Sequence, residues 1–268
     1  MSGTVHPRVS VSLISAGRWP LAQSLEYLAS LGVGAISVTG SQLAAGAEAV
    51  SQILASGMQV VSVGTGGLSL IDTPELTLDR LTPVIEAAAD LGSPCAFAPS
   101  GPTPALMPSD DGFARLIACL PTADAAARER GVRLAIENSS IATRQLGFVH
   151  TLADACWLAE EADVGVVVEL QNCWYERGLP RLFATHHDRF AIVNVSDFLL
   201  GEELKFNRRV PGDGSIPLEW LLAHLLDAGY GGYFDLEYLG PAIEQEGYAS
   251  AIARGVTWLS ERLEGWGV

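Results

Sequence analysis

The chain has 268 residues, 49% of them apolar and only 18% charged, enough hydrophobic material for a sizeable core, so intrinsic disorder is excluded. Its 16 Lys and Arg face 31 Asp and Glu, and the formal charge of −15 repels phosphate backbones and anionic lipid, so neither nucleic acid nor a membrane surface is an expected partner. The length fits a single domain over residues 1–268, because a closed α/β barrel needs about 250.

Short apolar or β-branched runs recur along the chain, most of them followed by a segment of helical periodicity. In chain order a strand is expected over residues 8–14, a helix over 21–31, a strand over 34–39, a helix over 43–56, a strand over 58–63 and a helix over 75–91. The series continues with a strand over 94–98, a helix over 111–130, a strand over 132–137, a helix over 151–162 and strands over 164–169 and 190–195. It closes with a helix over 217–228, a strand over 233–237 and a helix over 243–263. Runs such as VGVVVEL are continuously apolar, as strands of a parallel sheet covered on both faces must be. Gly32, Gly92, Gly131 and Gly229 each follow a helical stretch and precede a strand, the usual place of a helix stop. Eight βα units, with no G-x-G-x-x-G in the first βα loop, point to a single-domain (β/α)8 TIM barrel rather than an open doubly wound sheet.

No segment reaches the ~18 uninterrupted apolar residues of a membrane span, and MSGTVHPRVSVSLI lacks the basic start and apolar run of a secretory leader, so a cytoplasmic protein is expected. Cys95, Cys119, Cys156 and Cys173 are widely spaced and read as reduced thiols; Cys119 and Cys156 fall in helical patterns as small buried hydrophobes, and Cys173 has no evident histidine partner.

Three strands end in an acid. Glu137 closes RLAIE, Glu169 closes VGVVVE and Glu237 closes YFDLE. The C-terminal strand ends of a closed barrel converge on one mouth, so the three are expected to share a functional site. A further strand, AIVNVSD, offers Asn194 within it and Asp197 just beyond. Carboxylates in a low-dielectric mouth raise one another's pKa unless positive charge lies between them, and a divalent cation is the usual answer. The competing reading pairs each glutamate separately with an arginine or has it cap the next helix.

The stretches VRLAIEN (132–138), VGVVVELQN (164–172), IVNVSD (192–197) and VPGDGSIPLEWLLAHLLDAGYGGYFDLE (210–237) resemble the xylose isomerase-like barrels, the sugar phosphate isomerase/epimerase family, in a pattern that covers nearly the whole chain. The resemblance implies a mouth that holds one divalent metal, ligated from the fourth, fifth, sixth and eighth strand ends. Carried over by position, Glu137 and Glu237 match the fourth- and eighth-strand ligands. The fifth strand's usual aspartate, with histidine three residues on, is here Glu169 with Asn172, and the sixth strand's histidine three before an aspartate is Asn194 before Asp197. The implied ligands are therefore Glu137, Glu169, Asn194 and Glu237. Such an all-oxygen set favours Mg²⁺, Mn²⁺ or Ca²⁺ over Zn²⁺ and binds more weakly than one with imidazole. A mouth that has lost its metal must instead keep one glutamate protonated at neutral pH.

Arg208 and Arg209 precede the P-G-D-G turn, where relatives often place an arginine on substrate oxygens; a solvated loop charge or a partner for Asp197 is the alternative. Trp19 and Trp174 in expected mouth loops are candidate stacking faces, Asn172 and Asp197 complete the candidate substrate contacts, and Tyr175 and Phe198 are candidate walls. Trp157, Trp220 and Trp258 fall in helices as packing residues. His186 and His187 precede a strand, at its non-catalytic end, and are expected at the surface; His224 is expected to be structural, His150 to overhang the mouth or start a helix, and His6 to belong to a mobile terminus.

Together the acids and the resemblance point to metal-assisted proton transfer through an enediolate, with Glu137 and Glu237 as acid and base, in an isomerase or epimerase of a sugar or related polyol or keto-sugar. Loss of a β leaving group from the same intermediate makes a dehydratase or lyase. A metal-free acid–base enzyme acting on a non-sugar natural product is a further alternative, and a non-catalytic binding subunit is disfavoured by the intact glutamates. The family's abasic-site endonuclease branch requires a histidine-rich zinc site and a basic groove, which this sequence does not supply. A homodimer or homotetramer is compatible with the chain.

Overall fold

The computed structural model describes residues 4–202 and 206–268. Its elements run β1 (Val9–Ser12), α1 (Leu21–Leu31), β2 (Ala35–Thr39), α2 (Ala47–Ala55), β3 (Gln59–Gly64), α3 (Pro74–Asp90), β4 (Cys95–Pro99) and α4 (Ser109–Arg128). They continue with β5 (Arg133–Glu137), α5 (Leu152–Ala162), β6 (Gly165–Glu169), α6 (Leu170–Cys173), α7 (Leu179–His186), β7 (Phe190–Val195), α8 (Leu218–Asp227), β8 (Phe234–Leu236), α9 (Pro241–Glu246) and α10 (Tyr248–Trp266). The strands are parallel and close in sequence order, β8 pairing back onto β1 through Val9–Phe234 and Val11–Leu236. This is the expected (β/α)8 TIM barrel.

Local chemistry accounts for the helix ends. Helix α1 buries Ser24, Leu25 and Leu28 and stops at Gly32, whose φ of +81° lets its N–H reach back to the Leu28 and Ala29 carbonyls. Thr151 caps α5, its hydroxyl accepting the Asp154 N–H at 2.9 Å. The helix expected over 243–263 is two helices, because Gly247 at φ +95° interrupts the spiral between α9 and α10. Between β6 and β7, where no helix was expected, lie the one-turn α6 and the eight-residue α7, each too short to show a helical period in sequence. The strands bearing Glu137, Glu169 and Asn194 are β5, β6 and β7, one place later than the family count of fourth, fifth and sixth.

The barrel interior is legible from strand parity. Ala35, Val61, Cys95, Phe97, Ala135, Val167 and Ile192 form a buried cluster that contains no helical residue, so it fills the lumen, while the larger core lies between strands and helices. Alternate residues of a strand share a face, so Glu137, Glu169 and Asn194, each two residues beyond a lumen residue, also point inward at the strands' C-terminal ends. Asp235 and Glu237 follow in step from Tyr233, which packs on the same cluster. Asp235 is 1% exposed and accepts hydrogen bonds from Ser10 Oγ at 2.7 Å and Ser37 Oγ at 2.6 Å across the lumen.

Two histidine expectations need correction. His6 is buried, its N–H bonded to Ser260 Oγ at 3.1 Å, because the first described segment packs on the last helix. His186 is also buried rather than on the surface, its Nδ1 3.3 Å from Glu160. All four cysteines are free and buried. Among the described residues no helix is long and apolar enough to cross a membrane.

Candidate active site at the C-terminal mouth of the barrel

Glu137, ending β5, and Glu237, the first residue past β8, line a cavity of about 320 Å³ together with Pro99, Ser139, Thr143, Gln171, Asn172, Phe198, Phe206 and Arg208. That volume suits a small polar molecule. Glu169, ending β6, is fully buried behind this wall. Its Oε1 accepts the Gln171 N–H at 3.1 Å and so caps α6, while its Oε2 meets Arg208. Glu169 thus both caps a helix and pairs with an arginine, and that arginine links it to Glu237.

Arg208 ties the acids together. Only 4% exposed, it places Nη2 2.8 Å from Glu169 Oε2 and Nη1 3.0 Å from Glu237 Oε1, and Nη1 also donates to the Glu237 carbonyl at 3.0 Å. Asn194 Nδ2 donates to Glu237 Oε2 at 3.1 Å, so one oxygen of Glu237 is ion-paired with Arg208 and the other is hydrogen-bonded to Asn194. Burial works against the Arg208 charge, yet Glu169, Glu237 and Glu137 together hold its pKa above the ordinary value. Glu137 makes no such contact. Burial first, then the charges of Glu237 and Glu169, push its carboxyl up to about 8 against the opposing pull of Arg208, so it carries a proton at neutral pH. Burial also lifts Glu169, to about 7, with the Arg208 charge as the main opposing influence.

The loop that carries Arg208 is held from β7. Asp197 is 1% exposed, and its carboxylate accepts four backbone N–H groups: Phe198 at 2.9 Å, Ile216 at 3.0 Å, Gly212 at 3.2 Å and Gly214 at 3.0 Å. A Cβ on Gly214 would lie 2.1 Å from Asp197 Oδ1, which is why the turn needs glycine there. The Asp197 backbone also pairs with that of Arg209, at 3.0 Å and 2.7 Å.

The other residues proposed from sequence divide. Asn172 lines the cavity and donates Nδ2 to the Asn138 carbonyl at 2.9 Å. Asp197 does not join the cavity, because its carboxylate is spent on the turn. Arg209 points to Glu202, 3.0 Å away. Trp19 packs edge-on against Tyr27 and Tyr248, and Trp174 packs against Tyr175 and Phe198, so neither forms the cavity wall, which Phe198 does. The Cys173 thiol is fully buried and raised well above its usual range by that burial, which leaves no thiolate for attack. Sequence reading passed over Asn138, which is fully buried and binds the Glu169 backbone twice, accepting its N–H at 2.8 Å and donating to its carbonyl at 3.1 Å. Its signal was the polar residue directly after the first strand-end glutamate.

These residues do not fit the divalent ion that the resemblance implies. The guanidinium of Arg208 lies between Glu169 and Glu237, Asn194 turns an N–H toward Glu237 rather than a lone pair toward a shared centre, and no group of three His, Cys, Asp or Glu among the described residues is arranged to hold a metal.

A closed parallel barrel with buried acids meeting at the C-terminal strand ends defines a class of protein whose chemistry sits in that mouth. The model of the xylose isomerase-like TIM barrel family matches residues 25–262, and the chain belongs to that family. Protein SMc04130 from Sinorhizobium meliloti 1021 is similar at 23% identity with a TM-score of 0.84, over 96% of this chain and 98% of that one. The IolI protein with a bound zinc atom superposes with a TM-score of 0.81 at 14% identity, over 96% of this chain and 98% of that one. D-psicose 3-epimerase from Clostridium cellulolyticum H10, solved with D-tagatose, gives a TM-score of 0.74 at 15% identity, over 95% and 98% of the two chains. A comparison with curated proteins finds no match.

Proposed function

We propose that the protein is an isomerase or epimerase of a sugar or related keto-sugar that moves a proton α to a carbonyl, with Glu237 as base and Glu137 as acid. The observation that carries this reading is the contrast between two carboxyls on one cavity. Glu237 has both oxygens held by Arg208 and Asn194, while Glu137 has no ion-pair partner among the described residues and keeps its proton up to about pH 8. A carboxyl that keeps its proton, facing one held by a guanidinium and an amide N–H across the same cavity, supplies the acid and the base that proton transfer requires.

In the forward direction Glu237 takes the α-proton and the C–H electron pair moves onto the carbonyl oxygen, giving an enediolate; Glu137 then delivers its proton to carbon. Delivery to the opposite face of the same carbon inverts it, and delivery to the neighbouring carbon, with the hydroxyl proton passing from one enediol oxygen to the other, transposes the carbonyl. Turnover leaves Glu237 protonated and Glu137 ionised, and proton exchange with solvent in the open mouth resets the pair. The small, partly polar cavity and the sugar epimerase among the structural neighbours support a sugar-sized substrate. Where the substrate carries a β leaving group, the Glu137 proton would go to that group and the outcome would be a lyase.

The test is α-proton exchange in D2O followed by NMR across a panel of free and phosphorylated ketoses. Wild-type protein is expected to wash deuterium into at least one of them. Glu137→Gln and Glu237→Gln should each slow turnover ~100-fold or more while folding normally. Full activity in both variants, or no exchange on any ketose, would overturn the assignment.

A further inference from the structure

The proposed chemistry puts negative charge on a substrate oxygen beside three glutamates, and something positive must receive it. We propose that the Arg208 guanidinium is the resident cation of this mouth, standing where the family's metal would stand, so that the site works without a divalent ion. The inference rests on the proton-transfer reading for its purpose and on Arg208's own contacts for its evidence.

Charge counting comes first. Glu137, Glu169 and Glu237 would carry −3 if all were ionised, and the one guanidinium seated against two of them supplies the positive charge that a divalent ion would otherwise bring. A guanidinium is permanently charged and its planar fork matches two carboxylates at once. Donor counting comes second. Nη1 donates to the Glu237 carbonyl and lies 3.0 Å from Glu237 Oε1, one N–H of Nη2 lies against Glu169, and Nε is buried with no partner among the described residues. A second N–H on Nη2 also remains, and Arg208 lines the cavity, so it has donors in reserve for a substrate oxygen.

The neighbouring residues point the same way. Metal ligation needs lone pairs directed at one point, and the positions that would supply imidazole hold Asn172 and Asn194, both of which turn N–H donors onto protein oxygens. Asn194 in particular adds a second donor to Glu237, on the carboxylate oxygen that Arg208 leaves free. Two asparagines where the resemblance implies histidines, and one guanidinium seated between carboxylates, describe a hydrogen-bonded cage in place of a coordination sphere.

The test reads metal binding directly. Protein dialysed against EDTA and then against buffer is titrated calorimetrically with MnCl2 and melted in Mn²⁺, Mg²⁺ and EDTA. Wild type is expected to give no binding heat and the same melting temperature in all three. Arg208→Ala, which leaves three carboxylates without their cation, is expected to gain a Mn²⁺ site and to melt roughly 5 °C higher at a hundredfold excess of ion over its Kd. Arg208→Met, which keeps the packing of the stem, replaces it if the alanine variant does not fold. One Mn²⁺ bound per wild-type chain, or a folded Arg208 variant that binds none, would overturn the proposal. Failure of the proton-transfer reading looks different: a wild type that ignores Mn²⁺ yet exchanges no α-proton leaves the cation assignment standing, while exchange that appears only with Mn²⁺ keeps the reaction and removes the guanidinium's role.

Discussion

Asp235 shows how a single buried acid in this barrel couples charge to stability. It lies in the lumen one strand step below Glu237, and burial lifts its carboxyl to about 7 even though hydrogen bonds from Ser10 and Ser37 pull the other way. In the unfolded chain the same group titrates near its ordinary value of about 3.9, so between these two pH values the native state holds more protons than the unfolded one. Stability must therefore fall as pH rises from about 4 to 7, and level off above. Asp235→Asn, which can still bond both serines, removes that dependence and should gain on wild type by a few kcal/mol across the window, on the order of 1.4 kcal/mol for each tenfold difference in proton affinity between the folded and unfolded chain. Urea unfolding of the two proteins at several pH values checks this; parallel curves would show that the Asp235 proton is not linked to folding. Asp235 was passed over in sequence because an acid inside YFDLE looks no different from one facing solvent until the strand's neighbours are known.

At the scale of elements, the connection from β7 to α8 positions the site. Its anchor is Asp197, whose carboxylate gathers four backbone N–H groups and whose main chain pairs with that of Arg209. Asp197→Ala leaves those donors without an acceptor, and hydrogen bonds to a charged group contribute about 1.5–3 kcal/mol each, though not additively. The variant is expected to lose at least ~3 kcal/mol in denaturant unfolding and to lose activity beyond what its folded fraction explains, because Arg208 is no longer held. Normal stability would show that the turn holds itself. This element also marks the limit of the sequence reading. The P-G-D-G turn and the acid at 197 were both visible, but their bond was not, since nothing in the order of residues says whether Asp197 faces the mouth or the loop. The strands were easier: each is a short apolar or β-branched run between turn residues, and the barrel follows from their number and spacing. The short helices α6 and α7 were missed because so few turns give no measurable period.

For the whole molecule, barrel closure is what brings isolated strand-end acids together at one mouth. Glu137, Glu169 and Glu237 are distant in sequence, and their convergence was predictable because a parallel barrel has one C-terminal mouth. What lies between them was not. The expectation of a metal followed from charge repulsion and from family resemblance, and neither consideration could place a loop arginine, which arrives from outside the strand pattern and is fixed only by tertiary contacts with Glu169 and Glu237. The same convergence gives the mouth its defining electrostatic property, a proton retained on Glu137 because burial disfavours its charge and two other acids lie beside it, with Arg208 the opposing cation among the described residues. Carbon-13 NMR of protein labelled at the glutamate side-chain carboxyls observes that proton directly. The account predicts one resonance with a titration midpoint at about pH 8 that disappears in Glu137→Gln; a spectrum in which every glutamate carboxyl has finished ionising by about pH 6, more than a unit above the ordinary glutamate value, would contradict it.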